Sequence, residues 1–210
     1  MLEKYLSVAG ETFTEKIIEK SKFITTSRHI TSEDEVKEFI AEVSKKYRDA
    51  THNCYAYISD KFGNFLRFSD DGEPQGTAGM PILEVIKSKR LVEAAVVVTR
   101  YFGGVKLGAS GLVRAYSGCA AENLDAAQKV LYETCSELKV TVDYPLIDAA
   151  LRFFGEVNAG VINTGYLNEV IFTVVIKRAE KDGFVSTLKN RLCGKVKIEK
   201  SREYFFPFKI

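Results

Sequence analysis

Two short stretches carry the residue types and spacings from which chemistry can be built. The first, residues 69–79 (SDDGEPQGTAG), sets three acids, Asp70, Asp71 and Glu73, within four positions and follows them with Gly76 and Thr77. The second, residues 100–111 (RYFGGVKLGASG), runs through Arg100, Tyr101, Phe102, Gly103, Gly104 and Lys106 into a helix bearing Arg114. Loops held between a strand and a helix are where binding groups concentrate, and glycines there let a ligand approach the backbone.

Three chemistries fit these residues. The first turn of a helix over 109–127 presents N–H groups without intrahelical partners, carrying partial positive charge. Arg100, Lys106 and Arg114 add full charges nearby, so a phosphate of RNA or of a nucleotide suits the place. The run from Gly103 has the Gly-x-x-x-x-Gly spacing of a phosphate loop, but Ala109 stands where the lysine belongs. Without that lysine nothing grips the β- and γ-phosphates, which argues against nucleotide hydrolysis. Alternatively, Asp70, Asp71 and Glu73 offer oxygen ligands to Mg²⁺, although their spacing is not that of a calcium loop. In the third reading the acids pair with Arg100 or Arg114 and fix the two loops to each other. The expectation is a site without metal or cofactor.

Other candidates are thin. His29 and His52 are the only histidines and have no companions with which to complete a zinc set. Cys119 falls within a helical apolar pattern, the setting of a core residue rather than a nucleophile, and no Gly-x-Ser-x-Gly elbow occurs. Tyr101, Phe102 and Tyr116 are rings on which bases can stack, or core and interface packing.

The elements that must position these residues follow from periodicity. Residues 11–30 read as a hairpin turning near Glu19–Ser21. Ser32 and Glu35 form a capping box ahead of a helix over 33–47, striped by Val36, Phe39, Ile40, Val43 and Tyr47. Strands follow at 54–59 and 65–68, then a helix over 80–90 after the first loop. VEAAVVVT (92–99) is apolar almost throughout, the mark of a strand buried on both faces. From Val130 the order becomes β-α-β-β-α-β: a strand over 130–142, a helix over 145–158, strands at 161–167 and 169–177, a helix around Phe184–Leu192, and a last strand at Val196–Ile198. That is the split βαβ arrangement, with the boundary near residue 138.

The chain has 210 residues, 46% of them hydrophobic, enough for packed cores. Thirty basic and 28 acidic residues leave a net charge of +2, too little by itself to announce a nucleic-acid binder. Residues 141–210 hold 11 Lys/Arg against 8 Asp/Glu, a mild basic offset. The four cysteines form no C-x-x-C pair and lie in apolar stretches, as in a reduced chain. No apolar run approaches the ~20 residues needed to span a bilayer, and Leu2–Ile24 is studded with charges. A cytoplasmic protein is expected, with no membrane partner.

The segments ETFTEKIIEKSKFI (11–24), THNCYAY (51–57), RFSDDGEPQGTAGMPIL (67–83) and VVVTRYFGGVKLGASGLVRAY (96–116) resemble the IMPACT/YigZ family, also called uncharacterised protein family 0029. The resemblance implies an α+β protein of two domains. Residues 1–137 would be similar to domain 2 of ribosomal protein S5 (S5 domain 2-like). Residues 138–210 would be ferredoxin-like, as in the C-terminal domains of elongation factors. One departure is Ala109-Ser110-Gly111, where a Gly-Gly pair is expected in many members. Eukaryotic members restrain the starvation branch of translational control, partly through an N-terminal domain ahead of the shared one.

Function is expected to be binding, with RNA, the ribosome or a translation factor as partner. An enzyme acting on a phosphorylated small molecule at the two loops, or a protein–protein adaptor, are the alternatives.

Overall fold

The structure, a computed structural model, describes residues 2–209. It is a mixed α+β chain built on antiparallel sheets, dividing among the described residues into a unit running to residue 131, joined by the residues after 207, and a unit of residues 132–207. The division falls inside one continuous strand, Lys129–Val142, which also contains the 137/138 boundary read from sequence.

The first unit contains β1 (Lys4–Val8), β2 (Glu11–Ile18), β3 (Ser21–His29), α1 (Glu33–Lys46), β4 (His52–Ile58), β5 (Leu66–Ser69), α2 (Gly79–Ser88), β6 (Ala94–Tyr101) and α3 (Gly108–Ala126). Its five-stranded sheet has the order β2-β3-β6-β4-β5. The apolar run in β6 is explained by its central place. Ala94, Val96 and Val98 pack with residues of α2 and α3 such as Ile82, Leu83 and Tyr116. Ala95 and Val97 pack on the other face with Val36, Phe39 and Val43 of α1. Both faces of β6 are therefore core, and alternation disappears.

Several local expectations shift. The strand β6 begins and ends two residues later than 92–99, so Arg100 and Tyr101 belong to the sheet rather than to the loop. The capping box at α1 is half formed. Ser32 Oγ accepts from Glu35 N at 3.2 Å, but Glu35 Oε2 accepts from Thr31 N (2.6 Å) and Thr31 Oγ1 (2.9 Å). The β2–β3 hairpin turns at Glu19 and Lys20, both with positive φ. Such a primed turn matches the twist of the flanking strands.

The second unit holds β7 (Lys129–Val142) from Tyr132 onward, α4 (Ile147–Glu156), β8 (Gly160–Tyr166), β9 (Val170–Lys177), α5 (Lys181–Arg191) and β10 (Lys197–Lys209) as far as Pro207. In it β7 pairs with both β9 and β10, and β8 lies outside β9. Phe153, Phe154 and Phe184 pack against Leu138, Val140 and Phe172 of the sheet. Pro145 sits in a 3₁₀ turn ahead of α4 rather than inside it, and β10 runs far beyond Ile198. Cys54, Cys119 and Cys135 are buried, as apolar stretches suggest, but Cys193 is exposed just past α5. No described helix is long and apolar enough to cross a membrane.

Candidate functional site

The two loops meet through one buried ion pair. Arg100 pairs in the β ladder with Phe23 on β3 and His52 on β4, which carries its guanidinium into the unit's interior. There Nη1 donates to Glu73 Oε1 at 2.6 Å, and Arg100 and Glu73 are only 4% and 8% exposed. Tyr116, from α3, donates its hydroxyl to the same carboxylate oxygen at 2.8 Å. Arg100 Nη2 donates to Ser21 Oγ at 3.2 Å, and the Phe23 and Phe102 rings lie 5.5 and 5.4 Å from the guanidinium carbon. Ser21 Oγ also accepts from Gly103 N. A buried charge is tolerable only when paired and hydrogen-bonded, and Glu73 supplies what Arg100 needs. Of the guanidinium nitrogens, Nε is buried without an acceptor among the described residues.

The other acids of the first loop build the loop itself. Asp70 accepts from the backbone N–H of Gly76 (2.8 Å), Ala78 (3.0 Å) and Gly79 (2.8 Å). It thus caps α2, whose own N-cap residue, Ala78, offers no side-chain cap. A carboxylate there also suits the positive end of the helix. Asp71 Oδ2 accepts from Asn53 N at 2.5 Å, and its carbonyl lies 2.7 Å from His52 Nδ1. Since a carbonyl can only accept, that nitrogen carries the proton. Thr77 is buried and donates to Pro74 O. Among the described residues no three His, Cys, Asp or Glu side chains gather as a metal-binding set. The three acids are instead occupied by backbone amides, Arg100 and Tyr116.

On the second loop, Tyr101 donates to Asp49 Oδ1 and Phe102 N donates to Thr51 Oγ1. The Phe102 ring remains 46% exposed. Gly103 lies so close to the β2–β3 turn that a Cβ there would sit 1.9 Å from Lys20 O, so only glycine fits. Gly104 has φ +83.

Lys106 and Arg114 do not join the buried pair. Both are exposed, and they line a depression of about 470 Å³ with Ile18, Glu19 and Gly111. The first turn of α3 opens beside them. Its N-cap, Leu107, gives no side-chain cap and no acid lies in the first turn. The residues expected to form one pocket thus fall into two groups: a buried clamp (Glu73, Arg100) and an exposed cationic rim (Lys106, Arg114). Ser21, His52 and Tyr116 belong to the clamp region, with His52 Nε2 3.9 Å from Glu73 Oε2. Their spacing gave no sign of this, because they are brought in by sheet register and by one turn of α3.

Burial also disarms the thiols. It pushes Cys54 up to about 12 and Cys119 up to about 11, so neither is a thiolate near neutrality. Burial likewise raises the Tyr116 hydroxyl, which stays a donor to Glu73.

Comparison with known proteins covers this same region. A family model, the Impact N-terminal domain, matches residues 19–124, which include both loops. The IMPACT family member YvyE of Bacillus subtilis is 36% identical over 199 residues, spanning 95% of this chain and 92% of that one. The IMPACT family member YigZ of Escherichia coli is 31% identical over 189 residues, 89% of this chain and 93% of its own. A crystal structure described only as that of a hypothetical protein aligns with a TM-score of 0.63 at 29% identity, covering 96% of this chain and 99% of the other. With the glycine loops, the clamp residues and the cationic rim all inside the matched segment, this chain belongs to the IMPACT family.

Proposed function

We propose that this protein is a translation-linked binding protein that takes RNA phosphates at the exposed rim of Lys106 and Arg114. One observation carries the reading: two cationic side chains, unpaired among the described residues, share a depression with the uncapped first turn of a 19-residue helix. Fixed amides and mobile cations together suit a phosphate oxygen. The acids and thiols that catalysis would call on at these loops are committed to structure, which favours binding over chemistry.

The finer reading of the fold points the same way. We take the first unit to be S5 domain 2-like and the second to be ferredoxin-like, with strand order β10-β7-β9-β8 and two helices. Both architectures recur in translation proteins, an analogy rather than a mechanism. The test is co-sedimentation with ribosomes and a gel shift with RNA at low salt. Native protein should bind, and the double variant Lys106→Glu/Arg114→Glu should not. Native protein that binds neither sinks the reading.

A second reading has one observation in its favour. The depression lies within the ~300–1,000 Å³ of ordinary small-molecule sites. A phosphorylated small molecule would then occupy it. A thermal-shift screen of nucleotides and sugar phosphates with and without Mg²⁺ separates the two, since a ligand that binds the folded state raises Tm by mass action.

A further inference from the structure

We propose that the outer edge of β2 pairs antiparallel with β2 of a second copy of this chain, joining two five-stranded sheets into one. The strand β2 is an end strand of its sheet, eight residues long, without proline and without a register shift against β3. The tight turn at Glu19–Lys20 makes Ile18 and Ser21 the first hydrogen-bonded pair, and such pairs alternate along the ladder. The N–H and C=O groups of Glu11, Phe13, Glu15 and Ile17 therefore point away from β3. Nothing among the described residues pairs with them.

Edges of this kind are commonly blunted by charge. Here the charges are neutralised within the chain. Glu11 pairs with Arg28, Glu15 with Lys22 and Lys16 with Glu122. What the edge presents instead is apolar: Phe13 is 51% and Ile17 70% exposed, on the same face of the strand.

Charge selects the partner and the register. Outward-facing residues must meet outward-facing residues. Setting Glu15 against its own copy, or Glu11 against Glu15, opposes like charges and is unfavourable. The register between those two puts Glu11 opposite Ile17 and Phe13 opposite Glu15, with Thr14 against Thr14 on the twofold axis. No like charges are then directly opposite; Glu15 meets the partner's Glu15 and the partner's Glu11 only at the wider diagonal spacing. Each Phe13 lies diagonal to the partner's Phe13 and to the partner's Ile17, so four apolar side chains form one cluster across the seam. Lys46 of α1 lies 5.7 Å from the centre of its own Phe13 ring. That places its ammonium beside the position the partner's Glu15 would take, once on each side of an isologous interface.

Sedimentation equilibrium on the full chain over a wide concentration range tests this. The expected mass rises from 23.5 kDa toward twice that value. The variant Ile17→Lys should raise the dissociation constant about tenfold or more. Lys46→Glu, a change on the exposed end of α1 that leaves the sequence of β2 unaltered, should weaken association in the same direction. Oxidation of a Thr14→Cys variant should give a covalent dimer, because that register brings the two Cβ atoms together. A native chain that stays at 23.5 kDa throughout overturns the proposal and leaves the edge to a strand of another protein. A dimer that Ile17→Lys and Lys46→Glu leave equally tight, with unchanged circular dichroism, also overturns it.

Discussion

Arg100 and Glu73, 27 residues apart in sequence, form a 2.6 Å ion pair in the interior of the first unit. The pair ties the first turn of the acidic loop to the end of the central strand, and Tyr116 extends the tie to α3 through the same carboxylate oxygen. Breaking such a pair from one side leaves the other charge buried without compensation. Arg100→Ala should therefore cost about 3–5 kcal/mol. Tyr116→Phe removes one hydrogen bond to a charged acceptor and should cost about 1.5–3 kcal/mol. Because both act on Glu73 Oε1, the double variant should lose less than the sum. Urea unfolding of the three variants checks this; strict additivity would mean that the carboxylate does not couple them.

Two glycines of the same region should respond to alanine with opposite signs. At Gly103 the added methyl meets the Lys20 carbonyl at 1.9 Å, and neither backbone can yield without opening the β2–β3 turn. Gly103→Ala should cost more than about 4 kcal/mol, seen as lost soluble yield or a collapsed urea midpoint. Gly118 is an exposed interior residue of α3, and a methyl added there would meet nothing within 4 Å. Gly118→Ala should stabilise by about 1 kcal/mol, the helix preference of alanine over glycine. A neutral result at Gly103 would show that the turn is not held where the structure puts it.

The contrast between Arg100 and Arg114 shows how far sequence carries. The strand–helix alternation, the doubly buried β6 and the glycine loops are local patterns, and all are visible in the chain. Membership of the IMPACT family is likewise legible in the two loop motifs. What the pattern does not encode is register. A two-residue shift of β6 moves Arg100 from a loop surface into the ladder opposite Phe23 and His52, and turns an expected ligand group into a core ion pair. Asp70 is the same lesson on a smaller scale. An acid in a loop reads as a ligand until its amide partners at Gly76, Ala78 and Gly79 are seen.

Acid sensitivity should arise in part at His29. Burial is the leading cause holding its imidazole below the ordinary 6.5, so the fold prefers the neutral ring. Its Nδ1 lies 2.9 Å from the buried Ser7 hydroxyl, which joins β1 to β3. For a group depressed on folding, the unfolded chain binds protons first. Stability contributed by His29 is therefore present above pH 6.5 and falls as pH drops from 6.5 through the folded value. Unfolding free energies measured between pH 7.5 and 5 should decline, and His29→Gln should flatten part of that decline. An NMR titration that finds the His29 midpoint at or above 6.5 would contradict the sign.

The cationic rim makes a quantitative prediction of its own. If Lys106 and Arg114 each hold one phosphate of single-stranded RNA, each contact releases counterions on binding. The slope of log affinity against log salt should then shrink by about 0.7 for each side chain removed. Arg114→Ala and Lys106→Ala should weaken binding to all sequences alike, since phosphate contacts carry no base information. Arg100→Met offers the contrast. Its side chain is 5% exposed and engaged with Glu73, so in whatever fraction remains folded the salt slope should match that of native protein. Fluorescence anisotropy with a labelled oligonucleotide across a salt series reads all three. Equal loss of slope in Arg100→Met and Arg114→Ala would place the phosphate at the clamp rather than at the rim, and the division of the two loops into a structural and a binding half would be wrong.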